Sequence, residues 1–409
     1  MKKKKPKIRF KEFEGEWAFY AFRCLFTEKR DKTQEEFEDQ LLSCAIDGIY
    51  LNSELFNHFR GSTTIGYLKV KKNDLILSAQ NLHLGNANVN LRFASGIISP
   101  AYKVYAINGD NPYFINAWVK SEHAKSLFMS ATTEGASLCR KNIEWEFLYD
   151  KKVCIPSISE QEKIGAFLTT LDKLIEKFEA KLDKLRKLKH ALLENMFVDA
   201  LSGESVPQIR FKGYTDKWEV KELREVAKLR RGLTYSPDDV CSERKGIRVL
   251  RSSNISEDIF LLSEDDVFVK QSAINIPYIH NYDILITAAN GSSRLVGKHC
   301  IVADIQSNSC VPGGFMLCAS TDSPFFLQAS MSSSWYQTFI ATYTLGGNGT
   351  IGNLSKTALE KQRFQLPSIS EQEKIGNCFA QIDTLFSKTS IKLTKLRYIK
   401  QSLLEKMFV

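Results

Sequence analysis

Pro156-Ser157-Ile158-Ser159-Glu160-Gln161-Glu162-Lys163-Ile164-Gly165 occurs a second time, unchanged, as Pro367-Ser368-Ile369-Ser370-Glu371-Gln372-Glu373-Lys374-Ile375-Gly376. The offset of 211 residues continues without a gap to Met196-Phe197-Val198 and Met407-Phe408-Val409, with 25 identities in 43 positions. Upstream, Ile8-Arg9-Phe10-Lys11 with Trp17 returns as Ile209-Arg210-Phe211-Lys212 with Trp218, now at an offset of 201. The chain is one unit written twice, and repeats of this kind decide an architecture before any single element does. Each unit is a variable block followed by a near-constant one: residues 1–155 and 156–203, then 204–366 and 367–409.

The constant blocks predict long helices. Ser159-x-x-Glu162 and Ser370-x-x-Glu373 fit a capping box, in which hydroxyl and carboxylate each satisfy an orphaned backbone N–H, and Pro156 and Pro367 stand just outside. Behind the cap, apolar residues fall at spacings of 4 and 3: Ile164, Leu168, Leu171, Ile175, Phe178, Leu182 and Leu185. The second block repeats this with Ile375, Phe379, Ile382, Phe386, Leu393 and Leu396, with Thr389 in one layer. This is a coiled-coil seam, broken by Lys189 and Lys400 at matching places, and polar seam residues fix register at some cost in stability. About 37 residues at 1.5 Å each give roughly 55 Å. Connectivity favours an antiparallel pairing, because the second helix then returns toward the first variable block and the chain gains a pseudo-twofold axis. Two unrelated helices, each packed on its own domain, are the alternative.

Composition is that of a water-exposed globular chain: 43% hydrophobic and 25% charged residues over 409 positions. No apolar run reaches the roughly 18 residues of a membrane span, and the basic start has no apolar stretch behind it, so a cytoplasmic location is expected. The nine cysteines are scattered without a C-x-x-C pair and read as reduced, mostly core thiols. The net charge of +9 is concentrated at the start, since residues 1–11 carry seven basic groups and no acid. Residues 12–159 sum to −2 and residues 199–370 to zero, so phosphate attraction must come from local patches or from a partner.

The variable blocks read as mixed α/β domains. Asp74–Ser78 and Ala101–Ala106 in the first, and Ile247–Leu250, Asp283–Thr287 and Cys300–Ala303 in the second, have strand composition. Turns cluster Gly and Asn, as at Asn290-Gly291 and Gly346-Gly347-Asn348-Gly349, and Pro112–Phe128 and Pro324–Thr342 read as helical.

The whole chain resembles a specificity subunit of a type I restriction-modification system. The resemblance rests on the Pro-x-x-x-Glu-Gln entry to each helix, the terminal Leu-Leu-Glu-x-Met-Phe, the Ile-Arg-Phe…Trp opening of each variable block, the turn Asn290–Lys298, and above all the tandem arrangement. The first block lacks the run Gly349-Thr350-Ile351 of the second. The resemblance implies two α/β target recognition domains separated by long helices, each reading half of a bipartite site on double-stranded DNA. It implies that the helices set the gap and dock two methyltransferase subunits, through which an ATP-driven restriction subunit joins. S-adenosylmethionine, ATP and Mg²⁺ would then be held by those partners. Glu160, Gln161, Glu371 and Gln372, identical in both repeats, are expected to form the docking surfaces.

No catalytic constellation appears in the sequence. Asn111-Pro112-Tyr113-Phe114 resembles an amino-methyltransferase loop but lacks its second proline, and Gly347-x-x-x-x-Gly352 is followed by Asn353-Leu354 instead of the Lys-Ser/Thr of a phosphate loop. A DNA reader needs bidentate side chains on loops, Arg and Lys for guanine, Asn and Gln for adenine. In the first block these are Arg60, Lys69, Gln80, Asn81, His83, Asn86, Asn88 and Asn90. In the second they are Arg230, Arg231, Tyr235, Arg251, Ser252, Asn254, Asn290, Ser293, Arg294 and Lys298. Two rivals stay open: a coiled-coil scaffold without DNA function, which would pull down no methyltransferase, and a stand-alone enzyme, which would bind S-adenosylmethionine by itself.

Overall fold

The computed structural model describes residues 5–58, 61–137, 140–198, 204–241, 245–256, 258–345 and 353–409. The chain divides into two compact units, Met1–Glu179 with Lys392–Val409, and Ala180–Ile391. Each unit holds one variable block, the start of the helix that follows it and the end of the other long helix. The helices span Ile158–Met196 and Ile369–Lys406.

Within each unit the two helical segments run antiparallel. In the first, Asp172 pairs with Lys400 (2.5 Å) and Glu179 with Arg397 (2.6 Å), so numbers rise along one helix as they fall along the other. In the second, Lys189 pairs with Asp383 (2.8 Å) and Arg186 lies over the Phe386 ring (5.6 Å). The two seam lysines thus find the two equivalent aspartates. Ile164, Leu168, Leu171, Ile175, Ile375, Phe379, Ile382 and Leu393 are buried, as the 3-and-4 spacing demands. Phe178, Leu182, Leu185, Phe386 and Leu396 are half-buried. Thr389 is tolerated in the seam because its hydroxyl donates to the Leu385 carbonyl (2.7 Å).

The helix starts differ from the sequence expectation. Both helices begin at the isoleucine after Ser157 or Ser368, which places Ser159 and Ser370 inside the first turn rather than at the cap. The earlier start follows from the two residues behind it, which are fastened to the domain in helical geometry. Arg9 grips Glu160 through Nε and Nη2, both at 2.7 Å, and the Trp17 indole N–H adds a third bond (3.4 Å). Arg210 grips Glu371 in the same way at 2.7 and 2.8 Å. The Gln161 amide donates to Asp110 (2.8 Å) and to the Pro156 carbonyl (3.1 Å) and accepts from the Asn111 N–H (2.9 Å). Gln372 donates to the Pro367 carbonyl (2.9 Å). All four side chains are at most 6% exposed, so Glu160, Gln161, Glu371 and Gln372 cannot form the surfaces expected of them. The Pro-x-x-x-Glu-Gln motif and the Ile-Arg-Phe…Trp motif are two halves of one internal joint.

Two further repeated features complete it. A Cβ on Gly165 would stand 2.8 Å from the Phe114 nitrogen and the Asn111 Oδ1, and one on Gly376 would stand 2.7 Å from the Phe326 nitrogen, so glycine lets each long helix touch the start of a domain helix. The far end of the other long helix closes the same core. Phe408 packs edge-on to Trp17 and against Phe114, and Phe197 packs against Trp218, Phe326 and Phe379. The Ile8 N–H donates to the Lys406 carbonyl and the Ile209 N–H to that of Asn195 (3.0 and 2.8 Å), again at equivalent places.

Each variable block carries a four-stranded sheet of the same topology. In the first unit an antiparallel four-stranded sheet is ordered Phe26–Lys29, Tyr102–Ile107, Leu75–Ser78, Ala87–Val89. In the second the order is Lys228–Arg231, Met316–Ser320, Ile284–Thr287, His299–Ile301. The central strands Leu75–Ser78 and Ile284–Thr287 are buried at every position, which is why they read as continuous apolar runs. The helical stretches each break in two, Pro112–Val119 with Glu122–Ser130 and Pro324–Met331 with Ser334–Leu345. Asn111 caps the first of these by accepting from the Phe114 N–H (3.0 Å), a structural use for the Asn-Pro-Tyr-Phe string. Among the described residues no disulfide forms, and Cys44, Cys154, Cys300, Cys310 and Cys318 are buried.

Candidate nucleic-acid interface

Past the buried strand Ile284–Thr287 the chain leaves the sheet for eleven residues and returns at His299. The excursion is clamped at its base, where the Thr287 N–H donates to the Lys298 carbonyl (2.8 Å) and the Gly297 N–H to the Thr287 carbonyl (2.9 Å). Gly297 has φ +84, a conformation open to glycine. The Ala288 and Ala289 N–H groups both donate to the Phe315 carbonyl (2.9 and 3.0 Å), which binds this loop to the neighbouring turn Gly313-Gly314-Phe315.

Between these two turns lies a cavity of about 690 Å³, lined among others by Thr234, Tyr235, Arg251, Ser252, Asn290, Gly291 and Phe315. It brings together Tyr235, Arg251, Ser252 and Asn290, which come from three separate stretches of sequence. Asn290 is oriented by donating to the Ser252 hydroxyl (2.9 Å) and accepting from the Ser292 N–H (3.0 Å). Arg251 donates to the Asp265 carbonyl (2.9 Å), while its Nε is buried without a partner among the described residues. The other half of the loop faces elsewhere: Ser293, Arg294 and Lys298 line a second cleft of about 590 Å³ with Arg186, Lys189 and His190 of the long helix. Asp258 is the acid in that lining, so the cleft is basic and suits a phosphate. His299 beneath it is buried between the carbonyls of Gly297 (3.1 Å) and Gln328 (3.4 Å), and burial pushes its pKa down.

Several predicted readers are interior. Arg230 is held by Asp283 (2.6 Å), the Ser320 hydroxyl (2.7 Å) and the Tyr278 carbonyl (3.1 Å), because its strand lies at the sheet edge beside the loop that carries Asp283. Asn254 is fully buried and ties together Arg251, Leu261 and Asp266. Arg231 is exposed. In the first unit the amide-rich stretch splits. Gln80 and Asn81 are exposed at the turn after Leu75–Ser78, whereas His83, Asn86, Asn88 and Asn90 are buried. Asn86 and Asn88 bond to the Cys44–Ala45 backbone (3.2 and 2.7 Å), and Asn90 to the carbonyls of Lys71 and Phe93 (3.1 and 2.9 Å). Lys120 threads between them, donating to Ile46, Ala87 and Asn88 (2.6, 2.8 and 2.5 Å), and burial pushes its pKa down to about 8. Lys69 pairs with Glu38. Arg60 and the run Gly346–Gly352 lie outside the described residues.

Sequence reading missed Phe315, which is 74% exposed at the cavity rim, and the helix residues Arg186 and His190. The pair of glycines before Phe315 was the available signal, since a lone aromatic behind Gly-Gly sits on a bare turn.

Residues 215–396 match the family model of the type I restriction modification DNA specificity domain. The chain is 22% identical over 324 residues to the type I restriction enzyme StySPI specificity subunit of Salmonella potsdam, a match covering 73% of this chain and 65% of that protein. It is 19% identical over 359 residues to the type I restriction enzyme MjaVIII specificity subunit of Methanocaldococcus jannaschii, covering 82% and 79%. The crystal structure of the type I restriction-modification system S subunit from M. genitalium superposes with a TM-score of 0.66 over 99% of both chains at 14% identity, a likeness of fold.

Proposed function

Because this chain belongs to the family of type I restriction-modification specificity subunits, we propose that it is a non-catalytic reader of double-stranded DNA whose two units each recognise one half of a bipartite site. The observation that carries this reading is the contrast between an identical joint and divergent turns on a shared sheet. A protein that reads two different half-sites through one framework needs that contrast; a bare scaffold has no use for it. In this reading the first unit reads through Gln80 and Asn81 and the second through Tyr235, Arg251 and Asn290, with Arg294 and Lys298 on phosphate. The helices set the gap and dock two methyltransferase subunits, which hold S-adenosylmethionine and connect to the ATP- and Mg²⁺-dependent restriction subunit. Docking falls to outward-facing apolar residues, for which the exposed pairs Leu174 and Leu188 on one helix and Leu385 and Ile399 on the other are equivalent candidates.

The test is methylome sequencing of a host carrying the chain and its methyltransferase subunits. A two-part motif is expected, and Asn290→Ala should relax one half while leaving the other intact, by about 1–3 kcal/mol per base contact. A single undivided motif, or relaxation of both halves together, would overturn the assignment.

A further inference from the structure

The cavity beside Phe315 has features that reading a groove edge does not call for. A phenylalanine ring is usually buried, and here it stands 74% exposed. Its backbone is not loose: the Phe315 carbonyl accepts from two consecutive N–H groups, the Met316 N–H donates to the Gly313 carbonyl (2.8 Å), and Met316 itself is 1% exposed. The exposure is therefore built into the fold. The cavity is of a size that holds small organic groups, and its lining is bare at exposed Gly291, where a Cβ would meet nothing within 4 Å. Arg251 and Asn290, both capable of paired hydrogen bonds to a base edge, share its lining.

We infer that this cavity receives one unstacked nucleobase of the half-site read by the second unit, with the Phe315 ring against its face and Arg251 and Asn290 at its edge. The inference rests on the reading of the chain as a DNA reader. An aromatic face accepts any base by stacking, while the two polar side chains supply the choice among bases. Removing a base from the stack costs least where it is mispaired, so the site also gives the second unit a sensitivity to mismatch. Among the described residues the first unit shows no such ring at the equivalent turn. There the Ala79 N–H donates to the Ala101 carbonyl as that of Ala288 does to Phe315, so the same turn carries Ala101 where the second unit carries Phe315.

The experiment uses the full chain with its methyltransferase subunits and duplexes containing its methylated motif, with 2-aminopurine placed at each position in turn. One position, in the second unit's half-site, should brighten on binding. Phe315→Ala should abolish that signal and weaken binding roughly tenfold or more. Phe315→Trp should restore binding, and a melting temperature unchanged by either variant excludes misfolding. A mismatch at the brightening position should tighten binding of the wild type and do so less for Phe315→Ala. Selective binding with no brightening position, or brightening that survives Phe315→Ala, overturns the inference and leaves the DNA-reading assignment standing. If Phe315→Ala instead prevents assembly with the methyltransferase subunits, the ring is a protein contact and the inference falls. Absence of any sequence-selective binding by the wild-type complex defeats both.

Discussion

The two units differ least where the long helices enter them and most where their sheets end. At the entrance, Arg9 with Glu160 and Arg210 with Glu371 make the same two-pronged bond, Gly165 and Gly376 permit the same close approach, and Phe408 and Phe197 close the same core. At the turn after the central strand, backbone bonds persist while side chains change from Gln80-Asn81 facing Ala101 to Ala289-Asn290 facing Phe315. The constant part is thus a device for holding a domain on a helix, and the variable part is free because the backbone carries the turn. Even the joint is not wholly symmetric. Trp17 donates to Glu160, whereas the Trp218 indole nitrogen is buried with no partner among the described residues, and Arg9 also donates to the Gly15 carbonyl (2.6 Å).

Breaking the joint should have the largest effect and expose that asymmetry. Glu160→Ala and Glu371→Ala each leave a poorly hydrated arginine, and removing one partner of a buried pair costs about 3–5 kcal/mol. The loss should be greater for Glu160→Ala, which also orphans the Trp17 N–H. Hydrogen exchange, which resolves the two units, should show each variant opening its own domain; a loss below about 1 kcal/mol in denaturant would mean that the pair behaves as a surface bridge.

Much of this was legible because duplication carries its own control. The seam could be read twice, and the strands at Ile247–Leu250 and Leu75–Ser78 stood out as short β-rich runs. What one sequence could not convey was the direction of polar side chains. Asn81 and Asn86 look alike in the string, yet one is exposed and the other bonds Cys44, because Gly85 at φ +86 turns the chain back onto the sheet between them. Glu160 and Gln161 failed for a related reason. Identical residues in two copies suggest a surface presented twice, but a charged residue is also repeated when its partner is, and Arg9 and Arg210 are repeated at a different offset.

The glycines of the joint should rank second. Gly165→Ala places a methyl against backbone at 2.8 Å and Gly376→Ala at 2.7 Å, distances at which the helix must shift. Overpacking of this kind costs about 1–3 kcal/mol, offset in part by alanine's helix propensity of about 1 kcal/mol. Similar losses of melting temperature are expected in both variants, since the neighbours are equivalent helix starts. A rise in stability on either substitution would mean that the contact yields without strain.

The seam lysines should matter least, and their sign is the informative quantity. Lys189 and Lys400 retain 22% and 31% exposure, and their aspartate partners 37% and 35%, so solvent screens each pair. A coupling of about 0.5 kcal/mol, shrinking with added salt, is expected from double-mutant cycles. Lys189 lies within reach of Asp258 as well, at 3.8 Å, so Asp383→Ala should leave it partly compensated, whereas Asp172→Ala should cost Lys400 more. Lys400→Leu would instead continue the apolar seam and should be neutral or stabilising. That outcome would assign the lysines to fixing register, since an apolar residue at the same place contributes burial but no preference for one aspartate. Destabilisation by Lys400→Leu of more than about 1 kcal/mol would break that assignment and make the ion pair a net contributor to stability.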